Sequence, residues 1–123
     1  MKRVMLVVLV ALGGLAPLVS GCNLAEWEPV SVSLSIAGHS ADAEGVYHLE
    51  PDTAYQPAWD ARLGNGRQLE RDFDDFTWTT SNSNVVRIDE WGNRFVTGSA
   101  GTATITGVMT SSGLSDTIRV QVD

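Results

Sequence analysis

From residue 30 to the C-terminus the chain is a succession of short alternating runs cut apart by turn-forming residues, and this spacing constrains the fold more than any other feature. Val30, Val32, Leu34 and Ile36 alternate with serines, a period of two that turns one apolar face inward, and Pro29 opens the run. Tyr55, Pro57, Trp59, Ala61 and Leu63 share one phase and end at the turn Gly64-Asn65-Gly66. Phe76, Trp78 and Thr80 make a third segment, Val86 and Ile88 a fourth, and Phe95 with Val96 a fifth. Ala103 with Ile105, then Ile118, Val120 and Val122, complete the set. Breakers separate the later runs: Ser81-Asn82-Ser83-Asn84, Trp91-Gly92-Asn93, residues 98–101, and Ser111-Ser112-Gly113. Residues 38–52 alternate poorly and read as a loop with room for a short strand at Val46–Leu49. No helical stripe follows Cys22. About seven short strands, each with one apolar face to bury, predict an all-β sandwich of two sheets. Phe76, Trp78, Trp59, Ile88, Ile105 and Val120 are its expected core.

The N-terminus has a different character. Met1-Lys2-Arg3 precedes an apolar run over residues 4–19, interrupted only by Gly13, Gly14 and Pro17, and the string Leu18-Val19-Ser20-Gly21-Cys22 closes it. Positive charge, an apolar stretch and small residues are what an export signal needs. The run of 16 residues is shorter than the roughly 20 that span a bilayer as a helix, and its glycines and proline weaken such a helix. Cys22 is the only cysteine, so it has no partner for an internal disulfide in an oxidising compartment. The string resembles the lipobox of bacterial lipoproteins, which implies a signal peptide over residues 1–21, cleavage before Cys22, a diacylglycerol on its sulfur and an acyl chain such as palmitate on the new amino end. Three acyl chains exceed the two that stable anchoring requires. Asn23 differs from the aspartate that resembles an inner-membrane retention signal in enteric bacteria, which points to the outer membrane. Residues 22–29 then form the lipidated cysteine and a tether of at most about 25 Å, and residues 30–123 the domain.

Without residues 1–21 the chain has 102 residues, the size of one domain. Lys2 and Arg3 contribute +2 to the formal charge of −7, so the remainder carries −9, with six arginines and no lysine. Nucleic-acid binding rests on Lys and Arg neutralising phosphates, and this domain has no basic stripe to do so. Anionic head groups do not attract it either, which leaves the lipid anchor as its hold on the membrane.

One stretch adds a family resemblance. Phe76-Thr77-Trp78-Thr79-Thr80-Ser81-Asn82-Ser83-Asn84-Val85-Val86, residues 89–92, and Val96-Thr97-Gly98-Ser99-Ala100-Gly101-Thr102-Ala103-Thr104-Ile105 resemble the signature half of group 2 bacterial immunoglobulin-like domains. These occur in intimin- and invasin-type adhesins and other surface proteins. The resemblance implies an immunoglobulin-like sandwich with Trp78 as the plug between its sheets, no disulfide behind it, and an adhesion-like role. Pro57, inside a strand that should be central, and the loop over residues 38–52 depart from the family pattern.

Candidate chemistry is sparse. Glu70, Asp72, Asp74 and Asp75 offer the oxygen ligands a calcium ion wants, yet they lack the spacing of a calcium loop, and Arg67 and Arg71 flank them. His39 and His48 lie in the least regular segment with no cysteine to join them as ligands. There is no Gly-x-Ser-x-Gly elbow and no phosphate-cradling glycine loop opening a helix. Trp27 either lays its indole at the membrane interface or packs on the base of the sandwich. Trp91, in a turn, is a contact residue for sugar or protein or else a lid over the core edge. These readings predict a non-catalytic, lipid-anchored envelope module with no cofactor and no small-molecule substrate, which binds an envelope protein or a glycan. The alternative is a calcium- or carbohydrate-binding module using residues 70–75 or Trp91.

Overall fold

The computed structural model describes residues 27–123. The expected signal and Cys22 lie outside them. Among the described residues ten strands form: β1 (Pro29–Ile36), β2 (Val46–Leu49), β3 (Ala54–Tyr55), β4 (Pro57–Leu63), β5 (Gln68–Leu69), β6 (Phe76–Thr80), β7 (Val86–Asp89), β8 (Arg94–Thr97), β9 (Gly101–Met109) and β10 (Ser115–Val122). A 3-10 turn, Phe73–Asp75, precedes β6.

The strands build an all-β sandwich. One sheet has the order β2-β10-β9-β6, and two short ladders, β1-β4-β5 and β3-β8-β7, make the other layer. Only Gln56 separates β3 from β4, so one bent stretch of chain joins the two ladders. Among the described residues every pairing is antiparallel except that of β2, which runs parallel to β10 with Val120 opposite Tyr47. The chain therefore leaves β1 in one layer and re-enters through β2 in the other. Residues 38–45 make that crossing, which is why they alternate poorly.

Alternation fills the space between the layers. Leu34, Ile36, Tyr55, Ala61, Val86 and Phe95 on one side face Trp78, Ala103, Ile105, Met109, Ile118 and Val120 on the other, all buried. Phe76, Trp59, Phe73 and Phe95 surround Trp78, with ring centroids 5.3, 6.1, 5.1 and 5.3 Å away. Gly107 lets this plug approach its neighbours, since a Cβ there would lie 2.9 Å from the Trp78 ring and 3.0 Å from Leu34. At the edge, the Asp116 carboxylate accepts the Leu34 N–H at 2.8 Å and ties β1 to β10 across the layers. In the turn after β6, Asn82 accepts the Asn84 N–H on its side chain and Ser81 accepts the Thr104 N–H, as suits short polar side chains beside backbone.

The structure departs from the sequence reading at four places. Val30 is 55% exposed, because the β1–β4 register slips between Pro29 and Ser31 and Val30 sits at the irregularity. The expected strand over residues 55–63 is two strands, and Pro57 opens the second, a position where a missing N–H costs no ladder bond. The Ala37 N–H instead bonds the carbonyl of Gln56. Trp59 and Ile88 pack at the margin of the core and are only partly buried. Trp59 leans outward to bond the segment after β5, and Ile88 lies on the margin strand of its ladder. Finally, β5 is an added strand, and its two residues complete the Gly64-Asn65-Gly66 hairpin against Ala61 and Arg62.

Candidate functional site

The acidic segment over residues 70–75 is fastened to the core. Its one apolar member, Phe73, is 5% exposed and stacks on Trp78 with ring planes 20° apart. Two indoles hold its backbone: Trp59 Nε1 donates to the Arg71 carbonyl at 2.9 Å, and Trp78 Nε1 donates to the Phe73 carbonyl at 3.0 Å. The Asp72 N–H donates to Asp75 Oδ2 at 2.7 Å, which closes the 3-10 turn, and the Thr110 N–H donates to the Asp75 carbonyl. Arg71 reaches the Glu70 carbonyl rather than a carboxylate. Glu70, Asp72, Asp74 and Asp75 are thus held as the outer face of a plug. Among the described residues no three His, Cys, Asp or Glu side chains come together as a metal-ligand set.

Beside this plug stands the β7–β8 hairpin, built around Asp89. One carboxylate oxygen of Asp89 accepts the N–H groups of Trp91 and Gly92 at 3.2 and 3.1 Å, and the other accepts Arg94 Nε at 2.9 Å. The Arg94 guanidinium, then the Gly92 N–H, hold the Asp89 carboxyl below its ordinary pKa. Gly92 makes the clamp sterically feasible, because a Cβ there would lie 2.7 Å from both the Arg94 and Asp89 side chains. Asn93 takes φ of 56°, a left-handed conformation that Asn tolerates. The result is a fastened tip with Trp91 99% exposed. It is not a lid over the core edge: the Asp89 clamp turns position 91 away from the sandwich.

Glu90, the residue before Trp91, lines an open groove of about 220 Å³ together with Phe73, Asp74, Phe76, Thr77 and Trp78. The structure therefore brings one member of the acidic segment, Asp74, to the foot of the tryptophan hairpin. Sequence reasoning had kept these two features apart and had missed Glu90, Thr77 and the Asp89–Arg94 clamp. An aspartate three residues before a turn glycine was the available signal.

The remaining candidates are engaged elsewhere. His48 Nε2 meets Asp42 Oδ2 at 2.8 Å. The N–H of Val46, then His48, then the N–H of Glu44 draw the Asp42 carboxyl down to about 2. His39 packs edge-on against Tyr55, with ring centroids 5.1 Å apart. Trp27 is 61% exposed with the Arg67 guanidinium 5.8 Å from its ring centre. Among the described residues, no helix is long and apolar enough to cross a membrane.

No known family model matches this chain, and no curated protein is significantly similar to it in sequence.

Proposed function

We propose that this chain is a non-catalytic, lipid-anchored immunoglobulin-like module of the bacterial outer membrane that binds an envelope partner through its β7–β8 hairpin. The observation that carries the reading is Trp91, wholly exposed on a tip that Asp89 holds in one conformation. An unburied indole forgoes the stabilisation that core burial gives, and a pre-ordered aromatic loses little entropy on docking. The lipobox-like string supports the anchor, and the signature-like residues 76–105, with Trp78 at the centre of an all-β sandwich, support the family. The Glu28 carbonyl already accepts the Gly64 N–H, so the tether from Cys22 reaches about 20 Å at most and keeps the module near its membrane.

Two measurements in intact cells test this. Cys22→Ser should abolish lipid labelling and leave the precursor uncut or release it from the membrane fraction; normal processing and detergent partitioning of that variant would sink the anchor. A photo-cross-linking residue at position 91 should give a discrete adduct that is absent with the probe at exposed Ser112. Identical adduct patterns at both positions would remove the hairpin from the binding role.

A further inference from the structure

We infer that the hairpin tip and its groove receive a basic protein segment, one lysine or arginine side chain lying across the Trp91 indole with its charged end between Glu90 and Asp74. This rests on the binding-module reading and names its partner's chemistry.

The side chains of the groove decide the class. Its ionisable members are Asp74 and Glu90, carboxylates that when ionised accept hydrogen bonds and donate none, and its other polar side chain is the Thr77 hydroxyl. A neutral sugar presents donors and acceptors together and would leave many of its own acceptors unanswered here. An ammonium or guanidinium group carries donors only and matches the carboxylates. Of the hairpin's two arginines, Arg94 bonds Asp89, and neither it nor Arg87 lines the groove, so the hairpin does not satisfy the groove with its own cation. Trp91, the residue after Glu90 in the chain, presents a free indole face, the aromatic surface that attracts cations most strongly. Phe73, Phe76 and Trp78 show the groove only the small exposed remainder of their rings, an apolar floor for part of the methylene stem that a lysine or arginine lays along such surface. The charge of −9 beyond the signal draws a basic segment towards the module before contact.

The test uses the full-length chain purified in neutral detergent, at about 0.15 M salt, where the Debye length is about 8 Å and diffuse attraction is damped. Fluorescence polarisation compares two labelled probes, a hexa-arginine peptide and an N-acetylglucosamine hexamer. Trp91→Ala, which leaves the charge unchanged, should weaken the peptide about five-fold. Glu90→Gln with Asp74→Asn should weaken it on the order of ten-fold. Glu44→Gln with Asp52→Asn removes the same charge elsewhere and should change it less than about two-fold. Circular dichroism melts establish that each variant is folded. Wild-type affinity in Trp91→Ala, with equal losses in the two charge pairs, would mean diffuse electrostatics and would overturn the inference. Failure of the peptide to bind would overturn it too. Sugar binding that depends on Trp91, without peptide binding, would overturn the basic partner and leave the binding-module reading standing, whereas that reading itself fails in the position-91 cross-linking.

Discussion

Trp78→Ala should be the most damaging substitution in the sandwich. The indole is 7% exposed, touches four other aromatic rings and donates from Nε1 to the buried backbone of Phe73. Large-to-small changes of this kind cost about 3–5 kcal/mol, and the upper part of that range applies where the surroundings cannot collapse. Here they cannot, because the neighbouring rings belong to separate elements, and Trp59 is tied to the segment over residues 70–75 by its own bond to the Arg71 carbonyl. The loss also removes one of the two donors to the Phe73 carbonyl, which keeps the Phe76 N–H, an effect already contained in such measured ranges. A domain of this size holds about 5–15 kcal/mol in total, so the variant should retain only a fraction of its stability or unfold outright. Urea denaturation of residues 23–123 measures this, with Trp91→Ala as the control. The control indole touches nothing and should change stability by less than about 0.5 kcal/mol. Equal destabilisation by the two substitutions, or a cost below about 1 kcal/mol for Trp78→Ala, would refute the packing argument.

Three further outcomes follow from the same geometry. Gly107→Ala places a methyl 2.9 Å from the Trp78 ring and 3.0 Å from Leu34, and should cost about 1–3 kcal/mol by overpacking, measured by the same urea titration. Asp42 should titrate by NMR near 2. Its folded pKa lies below the unfolded value, so its contribution is present above the ordinary aspartate pKa and is lost as pH falls towards 2; Asp42→Asn should flatten the acid limb of the stability profile in that window, and an unchanged limb would contradict the Asp42 hydrogen bonds. Melts in millimolar calcium and in salt of matched ionic strength should agree within about 2 °C, while a calcium-specific rise of about 5 °C, lost in Asp72→Asn with Asp74→Asn, would mark residues 70–75 as a cation site.

Local periodicity was enough for the fold class. The alternation around Leu34, Trp78, Ile105 and Val120 needs only the two-residue repeat of a strand and a core to face, so those residues could be placed inward from their neighbours in the chain alone. Strand continuity was harder, because Pro57 and Val30 fit the apolar phase of their runs while the backbone breaks at one and slips at the other. Such breaks depend on what pairs alongside.

Residues 70–75 show most clearly what required the third dimension. As a string they are four carboxylates and an incidental phenylalanine, and every local rule treats them as a solvated loop or a ligand cluster. Trp59, from β4, and Trp78, from β6, convert them into a plug by donating to carbonyls 12 and 5 residues away in the chain. The groove needed a longer reach still, for Asp74 and Glu90 share it only because the β7–β8 hairpin folds back beside that plug. The exposure of Trp91 was likewise undecidable from composition, since an indole in a turn can fold over a core edge as readily as it can stand clear. Short-range repulsion and hydrogen bonding within the turn, at Asp89, Gly92 and Arg94, select the second arrangement. The sequence alone determined the alternating strands, the acidic charge and the address-like N-terminus, because each depends on neighbouring residues; tertiary packing decided which charges and which tryptophan meet, because that depends on elements distant along the chain.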